Sequence, residues 1–594
     1  MFRLGRPWGR WLGANRGQLR WAVTRGGKPV SMPRAEALAL LTEPGAEFEV
    51  RCATINGIQM PVFVNALPSL REALANTEAF GDATFLVFEG ERYTYAEHFA
   101  LAAGLGRHFV DAYGVRKGDR VVIAARNYPE WAVAFWATVS IGAVAVPLNA
   151  WWTASELAYA ISDSRASVLF ADTERWDRLK DAIDTFGLRG VVVSRHQGEL
   201  PSGVDRWETL RDQFDRSARL LATEVSYSDI ATIMYTSGTT GNPKGAVASH
   251  LSHCTNIKNM AFMGALNTTI AGVVPLDPDA PPPQQPASLQ VFPFFHIGGL
   301  SGLYLAAAFG SKLVTMYKWD VDQAIDILAR ERITTTSLVP MLLRQLLESP
   351  RIDELDTSAL GAISSGGASV PPDLINKIEK TFDTRVTPAN GYGLTETTSA
   401  IVLNSGLEYF THPSSIGRPV LVAEVRIVDE DGNDCPPGAV GELWVRGPNV
   451  VNGYWNKPAE TADAFVDGWF RTGDLGHQDD EGFLYVVDRL KDVVIRGGEN
   501  VYSSEVEAVM FEHPAVADVA IIGLPHRSYG EEVAAVVQLQ PGAQATASEL
   551  QEFVAARLAR FKTPSVIFFW DEPLPRTATG KVLKRDLREA VRPS

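Results

Sequence analysis

Residues 230–245 read IATIMYTSGTTGNPKG, a short apolar run followed at once by a loop rich in glycine and hydroxyl groups. The apolar run has the composition of a buried strand. The loop offers flexible backbone amides and four aliphatic hydroxyls to wrap phosphate oxygens, with a lysine as a point charge. It lacks the Gly-Lys-Ser/Thr ending of a Walker loop. The stretch therefore predicts a phosphate-binding loop after a strand. Its candidate ligands are Thr236, Ser237, Gly238, Thr239, Thr240 and Lys244.

Outward from this loop, short β-branched runs alternate with amphipathic stretches. The runs are residues 121–124, 167–170, 191–194, 289–295 and 312–317. The amphipathic stretches include residues 96–110 and 321–332. Such alternation indicates β-α-β units around a mostly parallel sheet, in which ligands bind at the carboxyl ends of the strands. The predicted fold class is α/β.

The pattern changes near residue 420. Short strands separated by a turn, at 424–428 and 441–445, predict a small β-subdomain in the large domain. A compact α+β unit follows, with predicted strands at 516–523 and 532–540 and a helix at 547–558. The domains predicted from these changes are an N-terminal extension at 1–60, a large domain at 61–490 and a small, mobile C-terminal domain at 491–594.

The composition narrows the function classes. The chain has 594 residues, of which 46% are hydrophobic and 21% charged, as in ordinary globular proteins. Its net charge of −15 argues against a nucleic-acid-binding protein, whose affinity depends on neutralising phosphates. Cys52, Cys254 and Cys435 lie far apart, which argues against a disulfide framework or a cysteine-built zinc site. A reducing compartment is expected.

The first 34 residues are strongly basic, with seven Arg, one Lys and no Asp or Glu, and they include Trp8, Trp11 and Trp21. Such a segment is typical of a membrane-surface element or an organelle address, and a frayed tail is the third interpretation. We expect a cytoplasmic protein, with peripheral membrane contact through residues 1–34 or organelle targeting as the alternatives. Its oligomeric state cannot be derived from the sequence.

Residues 131–155 carry no charged side chain and would be long enough to cross a bilayer. Gly142 and Pro147 interrupt the stretch, however. The pieces at 132–141 and 143–148 predict a buried helix followed by a buried strand. A membrane span is not expected.

Seven motifs stand in a fixed order along the chain. They are the phosphate loop, Phe-Pro-Phe-Phe-His at 292–296, Ser-Gly-Gly-Ala at 365–368, Gly-Tyr-Gly-Leu-Thr-Glu at 391–396, Gly-Trp-Phe-Arg-Thr-Gly-Asp at 468–474, Asp-Arg-Leu-Lys-Asp at 488–492 and Pro-Arg-Thr-Ala-Thr-Gly-Lys at 575–581. In this order they resemble the adenylate-forming superfamily of acyl-CoA synthetases, hydroxycinnamate-CoA ligases, luciferases and peptide-synthetase adenylation domains. The resemblance covers roughly residues 70–590 and is strongest to fatty acyl-CoA synthetases.

The resemblance implies an ATP site. Its candidate adenine-binding residues are Gly366, Gly367, Ala368, Gly391, Tyr392 and Gly393. The glycines lack a Cβ, so a flat base can approach the backbone, and the tyrosine is expected to stack on it. Asp474 is expected to accept hydrogen bonds from both ribose hydroxyls, and Arg489 is expected to contact ribose and phosphate oxygens.

The resemblance also implies the reacting groups. Thr395 and Glu396 are the expected Mg²⁺ site, because Mg²⁺ needs hard oxygen ligands beside the triphosphate. Lys581 is expected to bridge the substrate carboxylate and the α-phosphate as charge builds in the transition state. His296 is grouped with Glu396 and Lys581 as a catalytic residue.

The implied reaction has two steps. A carboxylate attacks the α-phosphate of MgATP to give an acyl-adenylate and pyrophosphate, and coenzyme A then displaces AMP to give a thioester. In the family, rotation of the small domain separates the steps, and the motif order places the hinge at Lys491. Rotation would withdraw Lys581 from the site. It would also bring the coenzyme A loop, with Gly497, Gly498 and Glu499, to the thiol channel.

Three alternatives and two departures accompany this resemblance. An adenylating enzyme that does not use coenzyme A would share nearly every motif. An amino-acid activator would carry an Asp that residues 294–298 lack. A non-enzymatic relative is disfavoured because the expected catalytic and binding side chains are present. Ser503 stands where many relatives have Pro, which is expected to loosen that turn without removing chemistry, and the proline-rich loop predicted at 275–286 has no counterpart in the family.

The expected substrate is an aliphatic monocarboxylic acid of medium or longer chain, with an aryl acid as the alternative. Residues 292–308 resemble the acyl-pocket wall, and His296 is their only ionisable group apart from the phenol of Tyr304. A second substrate charge would be costly to bury against this wall. Gly298 and Gly299 are expected to leave room for a tail.

Overall fold

The computed structural model describes residues 32–236, 242–272, 284–354, 356–368, 370–382, 385–577 and 580–591. Four predicted phosphate ligands, Ser237, Gly238, Thr239 and Thr240, lie outside the described residues. Most of the basic start and of the predicted 275–286 loop also lie outside them. Within the described part of the chain, no helix is both long and apolar enough to cross a bilayer.

Strands and helices alternate through most of the described chain. The strands are β1 (Val50–Ile55), β2 (Ile58–Phe63), β3 (Thr84–Phe88), β4 (Glu91–Thr94), β5 (Arg120–Ala124), β6 (Val144–Pro147), β7 (Val168–Asp172), β8 (Gly190–Ser194), β9 (Val204–Arg206), β10 (Ile230–Thr236), β11 (Lys244–Ser249), β12 (Ala287–Gln290), β13 (Lys312–Thr315), β14 (Thr335–Leu338), β15 (Ala362–Gly366), β16 (Thr387–Leu394), β17 (Ser399–Ser405), β18 (Arg418–Pro419), β19 (Glu424–Val428), β20 (Gly441–Arg446), β21 (Phe465–Val466), β22 (Trp469–Gln478), β23 (Leu484–Arg489), β24 (Val494–Arg496), β25 (Glu499–Val501), β26 (Val516–His526), β27 (Gly530–Leu539) and β28 (Val566–Phe569). The α-helices are α1 (Arg34–Thr42), α2 (Leu70–Asn76), α3 (Tyr95–Asp111), α4 (Pro129–Ser140), α5 (Ala154–Ser164), α6 (Thr173–Leu179), α7 (Trp207–Gln213), α8 (His250–Ile270), α9 (Ile297–Phe309), α10 (Val321–Arg330), α11 (Pro340–Glu348), α12 (Pro372–Phe382), α13 (Leu407–Thr411), α14 (Pro458–Ala464), α15 (Ser503–Phe511), α16 (Ala547–Ala555) and α17 (Lys584–Ala590).

Two large sheets form the body of the molecule. The first has seven strands in the order β11-β10-β6-β5-β7-β8-β9, and all neighbours are parallel except β10 and β11. The second has nine strands in the order β18-β17-β16-β15-β14-β12-β13-β3-β4. Its central strands from β16 to β3 are parallel, and its outer strands pair antiparallel. The predicted β-α-β architecture is confirmed.

The main core joins the two sheets. Helix α4 has apolar residues all round and is buried along its whole length. It packs in one cluster with α9, with Phe85 of β3 and with Val121 of β5. Parallel strands covered on both faces read as continuous apolar runs, which β5 and β8 illustrate. The predicted buried helix and strand within residues 131–155 are therefore confirmed.

Two smaller sheets complete the fold. The β-subdomain has the order β19-β20-β22-β21, with β23 on β22. The C-terminal unit has the order β25-β24-β27-β26, with β28 on β27. Helices α15 and α16 pack on the C-terminal sheet through Val506 and Val554. The predicted small β-subdomain and α+β unit are both present.

The described part of the N-terminal extension is folded onto the large domain. Asn56 and Gly57 form the two-residue turn of the β1–β2 hairpin, and both have positive φ, as such turns require. Phe48 packs edge-on against Phe262 of α8, with ring centroids 5.3 Å apart. Glu47 forms an ion pair with the buried Lys258 of α8. We call residues 32–63 the N-terminal cap.

The strand predicted at 289–295 is too long, because β12 ends at Gln290. The backbone groups that follow β12 form hydrogen bonds with a side chain and not with a neighbouring strand. Asn127 donates from Nδ2 to the Phe292 carbonyl at 2.9 Å and accepts the Phe294 N–H at 2.8 Å. Phe292 and Phe294 are buried in this turn, so apolar character alone gave the wrong secondary structure.

Candidate active site

Three motifs lie where parallel strands of the second sheet end. Residues 292–296 follow β12, residues 365–368 end β15, and residues 391–396 end β16. These strands are parallel members of one sheet, so their carboxyl ends meet at one edge. That edge is the usual ligand position in α/β folds.

Glycines keep the β15–β16 edge free of side chains. Gly366 pairs with Gly391, and a Cβ on Gly366 would lie 3.1 Å from the Gly391 carbonyl oxygen. Gly367 has φ +79°, in the left-handed region that favours glycine, and the exposed Ala368 follows it. A Cβ on Gly393 would lie 2.0 Å from the Ser399 carbonyl oxygen. Gly393 is therefore required by strand packing as well as by any approach of a base.

Asp474, Tyr392 and Arg489 form one hydrogen-bonded group. The Tyr392 hydroxyl donates to Asp474 Oδ2 at 2.7 Å, and Arg489 Nε lies 3.1 Å from Oδ1. Asp474 and Arg489 face each other across β22 and β23, and the Asp474 side chain is only 5% exposed. Burial raises the pKa of the Tyr392 hydroxyl well above its usual value, so it remains a donor. The carboxylate is thus fixed as an acceptor, the role expected of a ribose ligand.

Glu396 lies beside Lys244. The Tyr454 hydroxyl donates to Glu396 Oε1 at 2.8 Å, and Lys244 Nζ lies 5.2 Å from the centre of the Tyr454 ring. Burial raises the pKa of Glu396, and Tyr454, Arg489 and Lys244 oppose that rise. Lys244 begins β11, and Thr236 ends β10 beside it, with Oγ1 donating to the Lys244 carbonyl at 3.4 Å.

These residues fit a magnesium ion that is bound partly by the protein and partly by the oxygens of a triphosphate. Mg²⁺ typically takes one or two carboxylates and completes its shell with phosphate oxygens and water. Glu396 is a buried carboxylate, and Thr395 precedes it in the 3-10 helix Thr395–Thr397. The described residues contain no cluster of three or more His, Cys, Asp or Glu, so an all-protein metal cage is not among them.

Lys581 lies near enough to the Asp474–Arg489 group for both charges to act on its pKa. Burial lowers its pKa to about 7, with further lowering by Arg489 and Lys491 that Asp492 and Asp474 partly offset. The Thr577 N–H donates to the Lys581 carbonyl at 2.8 Å, which closes the turn. A Cβ on Gly580 would lie 3.7 Å from Val339, so this turn of the small domain touches the large domain. The structure therefore has the small domain in the orientation expected for adenylate formation.

His296 caps α9. Its Nδ1 accepts the Gly298 N–H at 3.1 Å, so a neutral ring carries its proton on Nε2. Burial lowers the pKa of His296 to about 4, and the ring is therefore neutral at pH 7. The structure shows a capping role; a catalytic role stays a prediction.

The two glycines that follow Ile297 are packed into the start of α9. A Cβ on Gly299 would lie 1.9 Å from the Pro293 carbonyl oxygen. A Cβ on Gly298 would lie 3.3 Å from His296 Nδ1. Gly299 therefore allows the tight turn into α9, and the passage of a tail beside these glycines stays a prediction.

The predicted hinge and coenzyme A loop belong to the junction with the small domain. Lys491 lies in the 3-10 helix Leu490–Asp492, between β23 and β24. Gly497 and Gly498 form the β24–β25 turn with positive φ, and Glu499 follows them. All three residues of this turn are exposed. Their roles stay predictions.

Sequence reasoning missed Tyr454 and Thr472. Tyr454 positions Glu396 from 58 residues away. Thr472 accepts the Asp474 N–H at 3.0 Å and donates to the Leu443 carbonyl at 2.7 Å. Thr472 lies inside a recognised motif, which could have drawn attention to it. A tyrosine in an otherwise unremarked loop carried no such signal.

Two segments of the chain match known protein families. Residues 74–455 match the AMP-binding enzyme family, and residues 505–581 match the AMP-binding enzyme C-terminal domain. The chain belongs to the AMP-binding enzyme family. The first match covers more than half of the chain and includes Lys244, Tyr392 and Glu396. The second includes Lys581, and Asp474 and Arg489 lie between the two matches. The resemblance drawn from the motifs is thereby confirmed.

Relatives of this AMP-binding enzyme are acid–thiol ligases. Indoleacetate–CoA ligase of Aromatoleum aromaticum is 36% identical over 502 residues, covering 83% of this chain and 93% of that protein. Long-chain-fatty-acid–CoA ligase FadD13 of Mycobacterium tuberculosis is 34% identical over 502 residues, covering 84% and 93%. The structure of O-succinylbenzoate coenzyme A synthetase (MenE) from Bacillus subtilis with ATP and magnesium ion has a TM-score of 0.73 and 30% identity, covering 88% of this chain and 99% of that one. This AMP-binding enzyme is an AMP-forming acid–thiol ligase that uses ATP and coenzyme A.

Proposed function

We propose that this acyl-CoA synthetase activates an apolar monocarboxylic acid, with a medium or long aliphatic chain favoured. The composition of α9 supports this proposal. The helix begins directly after His296 and contains no charged residue. Leu300, Leu303 and Tyr304 on it are almost completely buried. A second carboxylate or an ammonium beside this helix would have to be desolvated without a partner.

An aryl acid with a hydrogen-bonding group is the second candidate. Tyr304 donates to Asn256 Oδ1 at 2.8 Å, so this part of α8 faces α9. Asn256 Nδ2 and both amide atoms of Asn259 are buried and have no hydrogen-bond partner within the described residues. An aliphatic tail between the helices would leave them unpaired, at a cost of about 1–3 kcal/mol for each group. An N–H or O–H on a ring could pair with them.

A pyrophosphate-release assay across acids tests the proposal. We expect kcat/KM to rise from butyrate towards palmitate and then level, since each buried methylene contributes up to about 0.8 kcal/mol. Malonate and amino acids should be poor substrates. A best substrate among benzoate, hydroxycinnamate and indoleacetate would promote the aryl candidate, and a preference for malonate or an amino acid would refute both.

Asn259→Leu separates the two candidates. Leucine has a similar volume and removes the unpaired amide. We expect the variant to keep or improve kcat/KM for aliphatic acids, and to lower it for a polar aryl acid if the amide binds that acid.

Mass spectrometry of the products formed with and without coenzyme A identifies the thiol acceptor. The same product in both reactions would contradict thioester formation.

A further inference from the structure

We propose that Ser503 is a positioning residue for Lys581, acting through Lys584. Ser503 is the first residue of α15 and is fully buried. Its hydroxyl donates to Asp488 Oδ2 at 2.9 Å and accepts from Lys584 Nζ at 2.7 Å. The expected loosening of this turn is not observed, because the serine adds two hydrogen bonds.

The first of these bonds crosses the predicted hinge. Asp488 lies on β23, which pairs with β22 of the large domain. Ser503 lies beyond Lys491, in the small domain. Asp488 also accepts the backbone N–H groups of Ser503 and Ser504. An acceptor on one side of the hinge thus holds the start of a helix on the other side, where a carboxylate is favourable.

The second bond leads to the Lys581 turn. Lys584 is the first residue of α17, the helix that follows this turn. Its Nζ also lies 2.7 Å from Glu507 Oε1, and Glu507 accepts the Ile521 N–H at 2.8 Å. The start of α17 is therefore tied both to the hinge side, through Ser503, and to the small-domain sheet.

The same carboxylate orders the group that Lys581 faces. Asp488 Oδ1 accepts the Arg489 N–H at 2.7 Å, and Arg489 pairs with Asp474. One aspartate thus fixes the backbone of Arg489 and, through Ser503 and Lys584, the helix after Lys581. This arrangement aligns the ammonium of Lys581 with the Asp474–Arg489 group. The inference rests on the proposed two-step function, in which only the first step needs Lys581 in the site.

Ser503→Ala is the direct test. It removes the hydroxyl and leaves the Lys584–Glu507 ion pair and the backbone donors to Asp488, so the fold should be retained. We expect adenylate formation, measured by quenched flow, to slow about tenfold, because small misplacements of reacting groups are costly. Thioester formation from supplied acyl-adenylate should stay within about twofold of wild type or become faster.

Three further single variants and one double variant test the interpretation. Ser503→Pro lacks the hydroxyl and also the Ser503 N–H that donates to Asp488, and proline is tolerated at the first position of a helix, so it should give the same split between the steps with an equal or larger loss. Ser548→Ala, at the exposed start of α16, is the matched control and should leave both steps unchanged. Lys584→Met should slow adenylate formation, and adding Ser503→Ala to it should cause little further loss, since the two residues act in one chain of contacts.

The outcomes are decisive in both directions. Equal slowing of both steps by Ser503→Ala, or full-rate adenylate formation, overturns the positioning role. Additive losses in the double variant also overturn it. Failure of the proposed function is a different result, because it would show in the wild-type protein as a preference for malonate or an amino acid, or as no adenylate from any acid tested.

Discussion

At the residue scale, the burial of Lys581 bears directly on its predicted catalytic role. Its ammonium lies in a buried site with two neighbouring cations, which together lower its pKa to about 7. A cation held ready where negative charge develops contributes more than one that must be recruited from solvent. The residue is thus poised between its charged and neutral forms near physiological pH.

Lys581→Ala should slow adenylate formation by on the order of a hundredfold or more, because it removes this preorganised cation. Thioester formation from supplied acyl-adenylate should change much less, which makes the second step an internal control. Quenched-flow measurement of each step checks the prediction. Equal loss in both steps would contradict the assignment.

The pH profile of adenylate formation provides a second test. Only the charged form of Lys581 can stabilise the developing negative charge. The profile of kcat/KM reports groups of the free enzyme, so kcat/KM should fall as the pH rises through about 7, the pKa of Lys581. Lys581→Arg should remove this alkaline decline, since a guanidinium keeps its charge. Persistence of the same decline in the arginine variant would assign it to another group.

At the element scale, the N-terminal cap holds α8 in place. Burial lowers the pKa of Lys258 on this helix, and Glu47 of the cap partly offsets the shift. Arg34 of α1 also pairs with Glu408 of α13 at 3.0 Å. Ile58 of the β1–β2 hairpin packs against Gly468. A Cβ on Gly468 would lie 2.1 Å from Ile58 Cδ1. The cap therefore touches the large domain at three separated places.

Glu47→Gln should destabilise the protein by about 1–3 kcal/mol, because it removes the carboxylate charge that pairs with a buried ammonium. The partial exposure of Glu47 keeps the loss below that of a fully buried pair. A lower midpoint of thermal unfolding is the measurement. Glu43→Gln, at an exposed position just after α1, is the control. Identical midpoints for the two variants would show that the ion pair contributes nothing.

At the scale of the whole molecule, the described structure is one orientation of two domains. The Lys581 turn touches Val339 of the large domain, and Arg588 of α17 lies 3.7 Å from Asp492 at the hinge. The exposed loop predicted to bind coenzyme A is on the same small domain. If Lys581 acts in the first step as predicted, this arrangement serves that step, and we expect the second step to use another orientation.

Lys491→Pro should permit adenylate formation and stall thioester formation, because proline fixes φ near about −65° and restricts rotation at the hinge. Lys491→Ala removes the same charge without fixing the backbone, so it is the matched control. Separate measurement of the two half-reactions decides between these outcomes. Normal turnover in the proline variant would place the hinge elsewhere.

Membrane contact through the basic start, residues 1–34, stays a prediction. The cellular location of the protein also stays a prediction.

The sequence alone determined the family, the fold class and the nucleotide-site motifs. Each motif is a contiguous run, so the backbone itself carries its glycines, hydroxyls and charges into one place. Alternating apolar runs likewise specify strands and helices locally. The sequence misplaced the end of β12, because Asn127 rather than a strand satisfies the backbone there.

Only the tertiary structure decided which distant side chains meet. Glu47 and Lys258 are 211 residues apart, Lys584 and Ser503 are 81 apart, and Tyr454 and Glu396 are 58 apart. No periodicity or spacing links such pairs, since their contact depends on how sheets, cap and small domain pack. The lowered pKa of Lys581 has the same origin, because burial and neighbouring charges exist only once the domains are together.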